Sequence, residues 1–104
     1  MEINFSTEKV REGLATIIVP KIDRGKGEPL DHAISRAPVF FNPIMKLNRD
    51  LATVAMNVYQ RRLSRPISVC EPMCGTGVRG VRLGLEVPNI ENIVLEYWCA
   101  MNET

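Results

Sequence analysis

Residues 67–82, Ile-Ser-Val-Cys-Glu-Pro-Met-Cys-Gly-Thr-Gly-Val-Arg-Gly-Val-Arg, set the architecture of this chain. Ile67 and Val69 form a short apolar run that leads into an acid, Glu71. Cys74-Gly75-Thr76-Gly77 then supplies a small-residue turn, and a segment of helical period follows. Strand, glycine turn and helix are the layout with which α/β proteins hold a nucleoside cofactor. Glycine allows the sharp turn and lets backbone approach a ligand without a Cβ in the way. Glu71 can accept hydrogen bonds from a ligand amine or hydroxyl. Taken alone, Gly-x-Gly after a strand is a weak signal.

Downstream, Val78, Val81 and Leu85 predict the inner face of a helix from about residue 78 to 86. Arg79 and Arg82 are three apart, which predicts a shared outer face with Glu86 as a pairing partner. Pro88-Asn89 ends that helix, and Asn92-Ile93-Val94-Leu95 reads as a second core strand, parallel to the first. Glu96 stands 21 positions after Gly75. In nucleoside-binding folds an acid about 20 residues past the glycines commonly holds the ribose hydroxyls.

Upstream, Asn42-Pro43 is a helix start, with Asn as cap and Pro at the first helical position. Ile44, Leu47, Leu51, Val54, Ala55 and Val58 recur at three- and four-residue spacing. They predict a helix over about 43–62 with one buried stripe. Lys46, Arg49, Asp50 and Thr53 fall away from that stripe, so spacing alone makes Arg49 an exposed charge. Leu14–Val19 is a β-branched run stopped by Pro20, and Glu12-Gly13 before it suggests a turn. An earlier strand around Ile3–Phe5 would complete a hairpin. Residues 21–37 contain Gly25, Gly27 and Pro29 among many charges and read as a loop. The expected organisation is a hairpin and loop over 1–37, then a helix and the start of an α/β domain over 38–104.

The whole chain has 104 residues, enough for one small domain. A formal charge of +1 gives no global attraction for nucleic acid. Two local clusters, Arg61/Arg62/Arg65 and Lys21/Arg24/Lys26, can touch phosphates but are more simply solvated surface. Cys70, Cys74 and Cys99 make neither a C-x-x-C pair nor a zinc pattern, and no metal is expected. An odd cysteine count without a signal peptide points to a reducing cytoplasm. Cys74 reads as a small turn residue and the single His32 as a surface residue. No apolar run approaches the ~18 residues of a membrane span.

Longer phrases carry a resemblance. Pro38-Val39-Phe40-Phe41-Asn42-Pro43, Asn48-Arg49-Asp50, Gly77-Val78-Arg79-Gly80-Val81-Arg82 and Leu85-Glu86-Val87-Pro88 occur in this order. From about Gly13 to Leu95 the chain resembles the amino-terminal part of the archaeal tRNA guanine-26 N2-dimethyltransferases. That resemblance implies an α/β, Rossmann-like methyltransferase fold with an N-terminal β-hairpin, truncated after the second core strand. It implies S-adenosyl-L-methionine as cofactor and tRNA as the partner of the full-length enzyme. Arg49 matches the arginine of the family's Asn-Arg-Asp motif, which implies a contact with the cofactor site. Arg82 is implied as a cofactor-binding residue, with Arg79 a weaker candidate. The expected cofactor set is therefore Arg49, Glu71, Gly75, Gly77, Arg82 and Glu96, with no catalytic residue. In the family the acid after the second strand comes one place later, where Tyr97 stands here.

After Leu95 the sequence leaves the family pattern. Family members continue with the rest of a parallel sheet, an Asp-Pro-Phe-Gly catalytic motif and a carboxy-terminal tRNA-binding domain. The expectation is an N-terminal fragment, inactive on its own, with a free sheet edge open to self-association. The alternative is a non-catalytic nucleotide- or partner-binding module built from the same half-fold.

Overall fold

The computed structural model describes residues 4–97. It is a mixed α/β arrangement of four strands and three α-helices in two separate two-stranded sheets. Strands β1 (Thr7–Glu12) and β2 (Ala15–Pro20) form an antiparallel hairpin, with Glu12 paired to Ala15 next to the turn. Alternation along β2 buries Ala15, Ile17 and Val19 and leaves Thr16 and Ile18 outside. The buried side chains meet Phe41 and Val78, with Val10 and Val81 at the margin, and this cluster is the core. The strand expected over Ile3–Phe5 falls partly outside the described residues, and β1 begins at Thr7.

Residues 21–37 are not one long loop. Helix α1 (Leu30–Ser35) starts at Pro29 and buries Ala33 and Ile34. Its six residues are too few for a periodic signal to stand out. Glu28 ties the segment before it: its carboxylate pairs with Arg36 and accepts the Gly25 amide at 3.0 Å. These partners, Arg36 first, lower the Glu28 pKa to about 2.

Asn42 does cap a helix start, accepting the Ile44 amide on Oδ1 at 3.0 Å. The first turn, Pro43–Met45, is 3-10, and helix α2 (Lys46–Leu63) continues from it. The orientation of α2 reverses the expectation. Its buried residues are Arg49, Thr53 and Gln60, while Leu47 is 68% and Val58 49% exposed. Ile44, Leu51 and Val54 are exposed as well. The reason is what α2 meets. Its inward face touches carboxylates and backbone carbonyls, which polar side chains satisfy and apolar ones do not.

Strand β3 (Ile67–Glu71), helix α3 (Val78–Glu86) and strand β4 (Ile90–Leu95) follow. The two strands are parallel, from Ile67↔Ile90 to Glu71↔Leu95, with a register shift between Ile67 and Ser68. This strand–helix–strand unit is as expected. Within α3, Val78 is buried and Val81 partly so, but Leu83 rather than Leu85 completes the inner face. Arg82 is buried too, so the shared outer face expected for Arg79 and Arg82 does not form.

Candidate functional site

Two sets of polar residues stand out, and the six residues expected around a cofactor divide between them. The first set lies where the hairpin, α2 and α3 meet. Arg49 is 5% exposed and grips Glu12 bidentately, Nε to Oε2 at 2.8 Å and Nη2 to Oε1 at 2.7 Å. Its Nη2 also donates to the Asn42 carbonyl at 3.1 Å, and its guanidinium lies 5.0 Å from the Phe41 ring centroid. Arg82 is 4% exposed. It donates to Glu12 Oε2 at 3.1 Å, to Asp50 Oδ1 at 2.6 Å, and bidentately to Glu86 at 2.8 and 3.0 Å. Lys46 completes the group on Asp50 Oδ2 at 2.8 Å. Three carboxylates thus face three cations, the charge balance that burial demands.

These contacts hold the carboxylates ionised. Hydrogen bonding from Arg49, then the fields of both arginines, lowers the Glu12 pKa against the opposing effect of burial. Lys46 and Arg82 lower Asp50, and Arg82 lowers Glu86. The same pairing raises Arg82, with Glu86 as its strongest partner. Asn48 extends the junction by accepting from Arg79 Nη2 at 2.7 Å. Asn48-Arg49-Asp50 and Arg79…Arg82 therefore face one another across the α2–α3 contact.

The second set lies at the carboxyl ends of the parallel strands. Glu96 donates its amide to the Glu71 carbonyl at 3.0 Å, and Cys74 donates its amide to the Glu96 carbonyl at 2.9 Å. Glu71, the glycine turn and Glu96 are thereby brought together. The turn closes with the Gly77 amide on the Cys74 carbonyl at 2.9 Å. Gly75 has φ 60° and Gly77 φ 80°, so both use the left-handed freedom that glycine offers. Met73 also holds a positive φ, 55°, and is largely exposed. That conformation costs a residue with a Cβ about 1 kcal/mol or more, and such strain gathers at ligand sites.

Glu71 is half-buried and uses Oε1 to accept the Gly80 amide at 3.2 Å, capping the first turn of α3. Desolvation raises its pKa despite the opposing Arg79 charge and Gly80 amide. Desolvation, then the Glu71 charge, also raises the Cys74 thiol, which makes it a poor nucleophile. Beside it, Thr76 Oγ1 and Arg79 Nε are buried without a hydrogen-bond partner among the described residues. Unsatisfied buried polar atoms are uncommon in folded proteins.

The profile of the N2,N2-dimethylguanosine tRNA methyltransferase family matches residues 13–98. The chain belongs to this family. A tRNA (guanine(26)-N(2))-dimethyltransferase of Methanosphaera stadtmanae is 35% identical over 91 residues, 88% of this chain and 21% of that protein. One of the same name from Sulfolobus acidocaldarius is 42% identical over 95 residues, 88% of this chain and 22% of its own length. A tRNA (guanine(26)-N(2)/guanine(27)-N(2))-dimethyltransferase of Aquifex aeolicus is 38% identical over 84 residues, 81% of this chain and 20% of that protein. The chain spans about one fifth of the length of the curated relatives it matches.

Whether the adenosyl cofactor implied by the sequence resemblance suits these residues is testable on geometry. The strand-end carboxylate of Glu71 and the Thr76 hydroxyl suit the hydroxyls and amine of a nucleoside, and Glu96 adds a second acid at the same strand ends. The glycines have a nearer explanation. A Cβ on Gly75 would lie 2.8 Å from the Phe40 carbonyl oxygen, and one on Gly77 3.2 Å from Leu95 Cδ1. Both make room for protein. The fit is thus carried by the carboxylates and the turn's shape.

Glu12 is the partner that sequence reasoning missed. It lies 37 positions from Arg49 and 70 from Arg82, so no local spacing announces it. Among the described residues no group of three or more His, Cys, Asp or Glu is arranged to hold a metal ion. No described helix is long and apolar enough to cross a membrane.

Proposed function

We propose that this chain is the cofactor-side, amino-terminal portion of a tRNA guanine-N2 methyltransferase that dimethylates guanine-26, working in a reducing cytoplasm. One observation carries the reading: a parallel strand–glycine turn–helix–strand unit collects Glu71, the Cys74–Gly77 turn and Glu96 at its carboxyl end. Ligands of Rossmann-like folds bind outside that end of the sheet. S-adenosyl-L-methionine, when bound, supplies the methyl group.

Glu71 and Glu96 would accept hydrogen bonds from the nucleoside, and Gly75 and Gly77 would shape the turn beside it. Arg49 and Arg82 would act by holding α2 and α3 in register behind the turn. The chain's contribution is positioning, which accounts for much of the barrier in group transfer between bound partners. Asp-Pro-Phe-Gly, the motif that would accept the proton of the guanine amine, is not among these 104 residues. Residues 38–104 are then the opening of the methyltransferase domain, and tRNA is engaged through the full-length enzyme.

The test is to incubate the purified chain with labelled S-adenosyl-L-methionine and unmodified tRNA. No transfer is expected from the chain alone, because uniform weak binding does not lower a barrier without positioned groups. Transfer is expected once the chain replaces the matched region of the Sulfolobus acidocaldarius relative. Label on guanine N2 with the isolated chain would overturn the division of labour. A non-catalytic partner-binding module is the second reading, favoured by the exposed apolar face of α2.

A further inference from the structure

The tip of the hairpin does more than turn the chain. Glu12 ends β1 as a buried residue, and its Oε2 accepts from both Arg49 Nε at 2.8 Å and Arg82 Nη1 at 3.1 Å. Guanidiniums from two helices therefore meet on one oxygen of a third element. Gly13 follows at φ 57°, and a Cβ there would collide with the Glu86 carboxylate and lie 2.8 Å from Arg82 Nε. The Leu14 amide then donates to Glu86 Oε2 at 3.3 Å. Residues 12–14 are thus seated on the ion cluster, apart from the apolar packing of Ala15, Ile17 and Val19.

Both arginines lead from Glu12 to the glycine turn. Arg49 Nη2 holds the Asn42 carbonyl, and its guanidinium lies over the Phe41 ring. The Phe40 carbonyl, next along the chain, is pressed against Gly75. Arg82 stands on α3, whose first turn is tied to the glycines and to β3. The Val81 amide donates to the Gly77 carbonyl at 2.9 Å, and the Gly80 amide to Glu71 Oε1 at 3.2 Å. Asp50 also bridges α2 to Arg82, but Glu12 is the acid that Arg49 grips.

We propose that Glu12 is a positioning residue for the cofactor turn, an inference that rests on reading that turn as the nucleoside site. Its carboxylate fixes Arg49 and Arg82 together. Through them it places the Phe40 carbonyl and the first turn of α3 on either side of Gly75–Gly77. Charge-assisted bonds in a buried setting are short and directional, so the placement of the carboxylate matters as well as its charge.

Two variants separate placement from charge. Glu12→Asp keeps the charge and draws it back by one methylene; Glu12→Gln keeps the length and removes the charge. In the nitrogen-15-labelled chain both should displace the Gly75 and Gly77 amide resonances and speed hydrogen exchange at Gly77 by at least ~10-fold, with the Val19 amide unmoved. Glu12→Asp should nevertheless melt within about 3 °C of the wild type. Lys9→Gln, exposed on the same strand, should leave the turn in place. In a chimera of the Sulfolobus acidocaldarius relative in which this chain replaces the matched region, Glu12→Asp should weaken S-adenosyl-L-methionine binding by ~10-fold or more. The proposal is overturned if Glu12→Asp leaves the turn resonances unmoved, or if they move only in step with a fall in melting temperature. Unchanged affinity in a chimera that binds the cofactor overturns it too. Should neither variant fold, the wild-type chain decides: Arg49 Nε–H and the Gly77 amide should share one opening, with protection equal to within about threefold. Gly77 opening faster and independently would overturn the coupling. A turn that moves with Glu12 in a chimera that binds no S-adenosyl-L-methionine would sink the functional reading and leave the link from Glu12 to the turn standing.

Discussion

The α2–α3 junction and the strand-end turn are built from the same residue types and use them in opposite ways. At the junction, Glu12, Asp50 and Glu86 are matched by Lys46, Arg49 and Arg82, and each of their carboxylate oxygens accepts from at least one of these cations. At the turn, Glu71 accepts one amide while desolvation disfavours its charge, and Thr76 Oγ1 is left without a partner among the described residues. Carboxylates that are fully matched fix geometry, and those with spare capacity can bind. A charged residue in a family motif is therefore assigned by counting its partners. On that count the proposed roles are positioning for Arg49 and Arg82 and ligand contact for Glu71.

The largest expected effect breaks the junction. Arg49→Ala leaves Glu12 buried with only Arg82 for company, which should cost ~3–5 kcal/mol. Urea denaturation should show most of the fold lost, since small domains have only about 5–15 kcal/mol in all. A loss under about 1 kcal/mol would mean that the junction is a solvated surface network.

Gly75→Ala tests the turn's packing. The new Cβ would meet the Phe40 carbonyl oxygen at 2.8 Å from a residue held at φ 60°. Strain of this kind costs ~1–3 kcal/mol, read as a lower denaturation midpoint. A neutral effect would show that the Phe40 segment yields freely.

Glu71→Ala should weaken S-adenosyl-L-methionine binding to the chimera by ~1–3 kcal/mol, the cost of leaving polar partners unpaired. Arg82→Lys should change affinity much less than it changes stability. If calorimetry finds the reverse order, the assignment of Arg82 to the junction and Glu71 to the ligand is wrong.

Acid separates the two regions most gently. Glu12, Asp50 and Glu86 have folded-state pKa values below the ordinary 4.5, 3.8 and 4.5. Their contribution is present above those values and is lost as pH falls through the lower folded ones. Glu71 runs the other way, because its folded value is raised above 4.5. Its ionised form costs stability at neutral pH, and that cost disappears on acidification. Stability should therefore fall below about pH 4 in the wild type, and Glu71→Gln should give a small gain near pH 7 that vanishes by pH 4. A Glu71→Gln gain independent of pH would point to packing rather than charge.

Several elements are legible in the sequence alone. The run from Ile67 to Glu71, the glycine turn and the helical period from Val78 each have local causes, so strand, turn and helix followed from them. Asn42-Pro43 announced a helix start for the same reason. The parallel pairing of β3 and β4 follows from the alternation of β-branched runs with a segment of helical period. Helix α2 was legible as a helix but not as an oriented one. A periodic stripe says that one face is apolar; it does not say what that face meets. In this chain the polar face turns inward, because Glu12 and Arg82 arrive from segments 37 positions before Arg49 and 33 after it. Which charges balance, which edge stays open and which glycine opposes the Phe40 carbonyl are all relations between distant segments. Local sequence sets each segment's conformation through short-range sterics and hydrogen bonds, whereas burial and charge matching depend on neighbours that only the folded chain assembles.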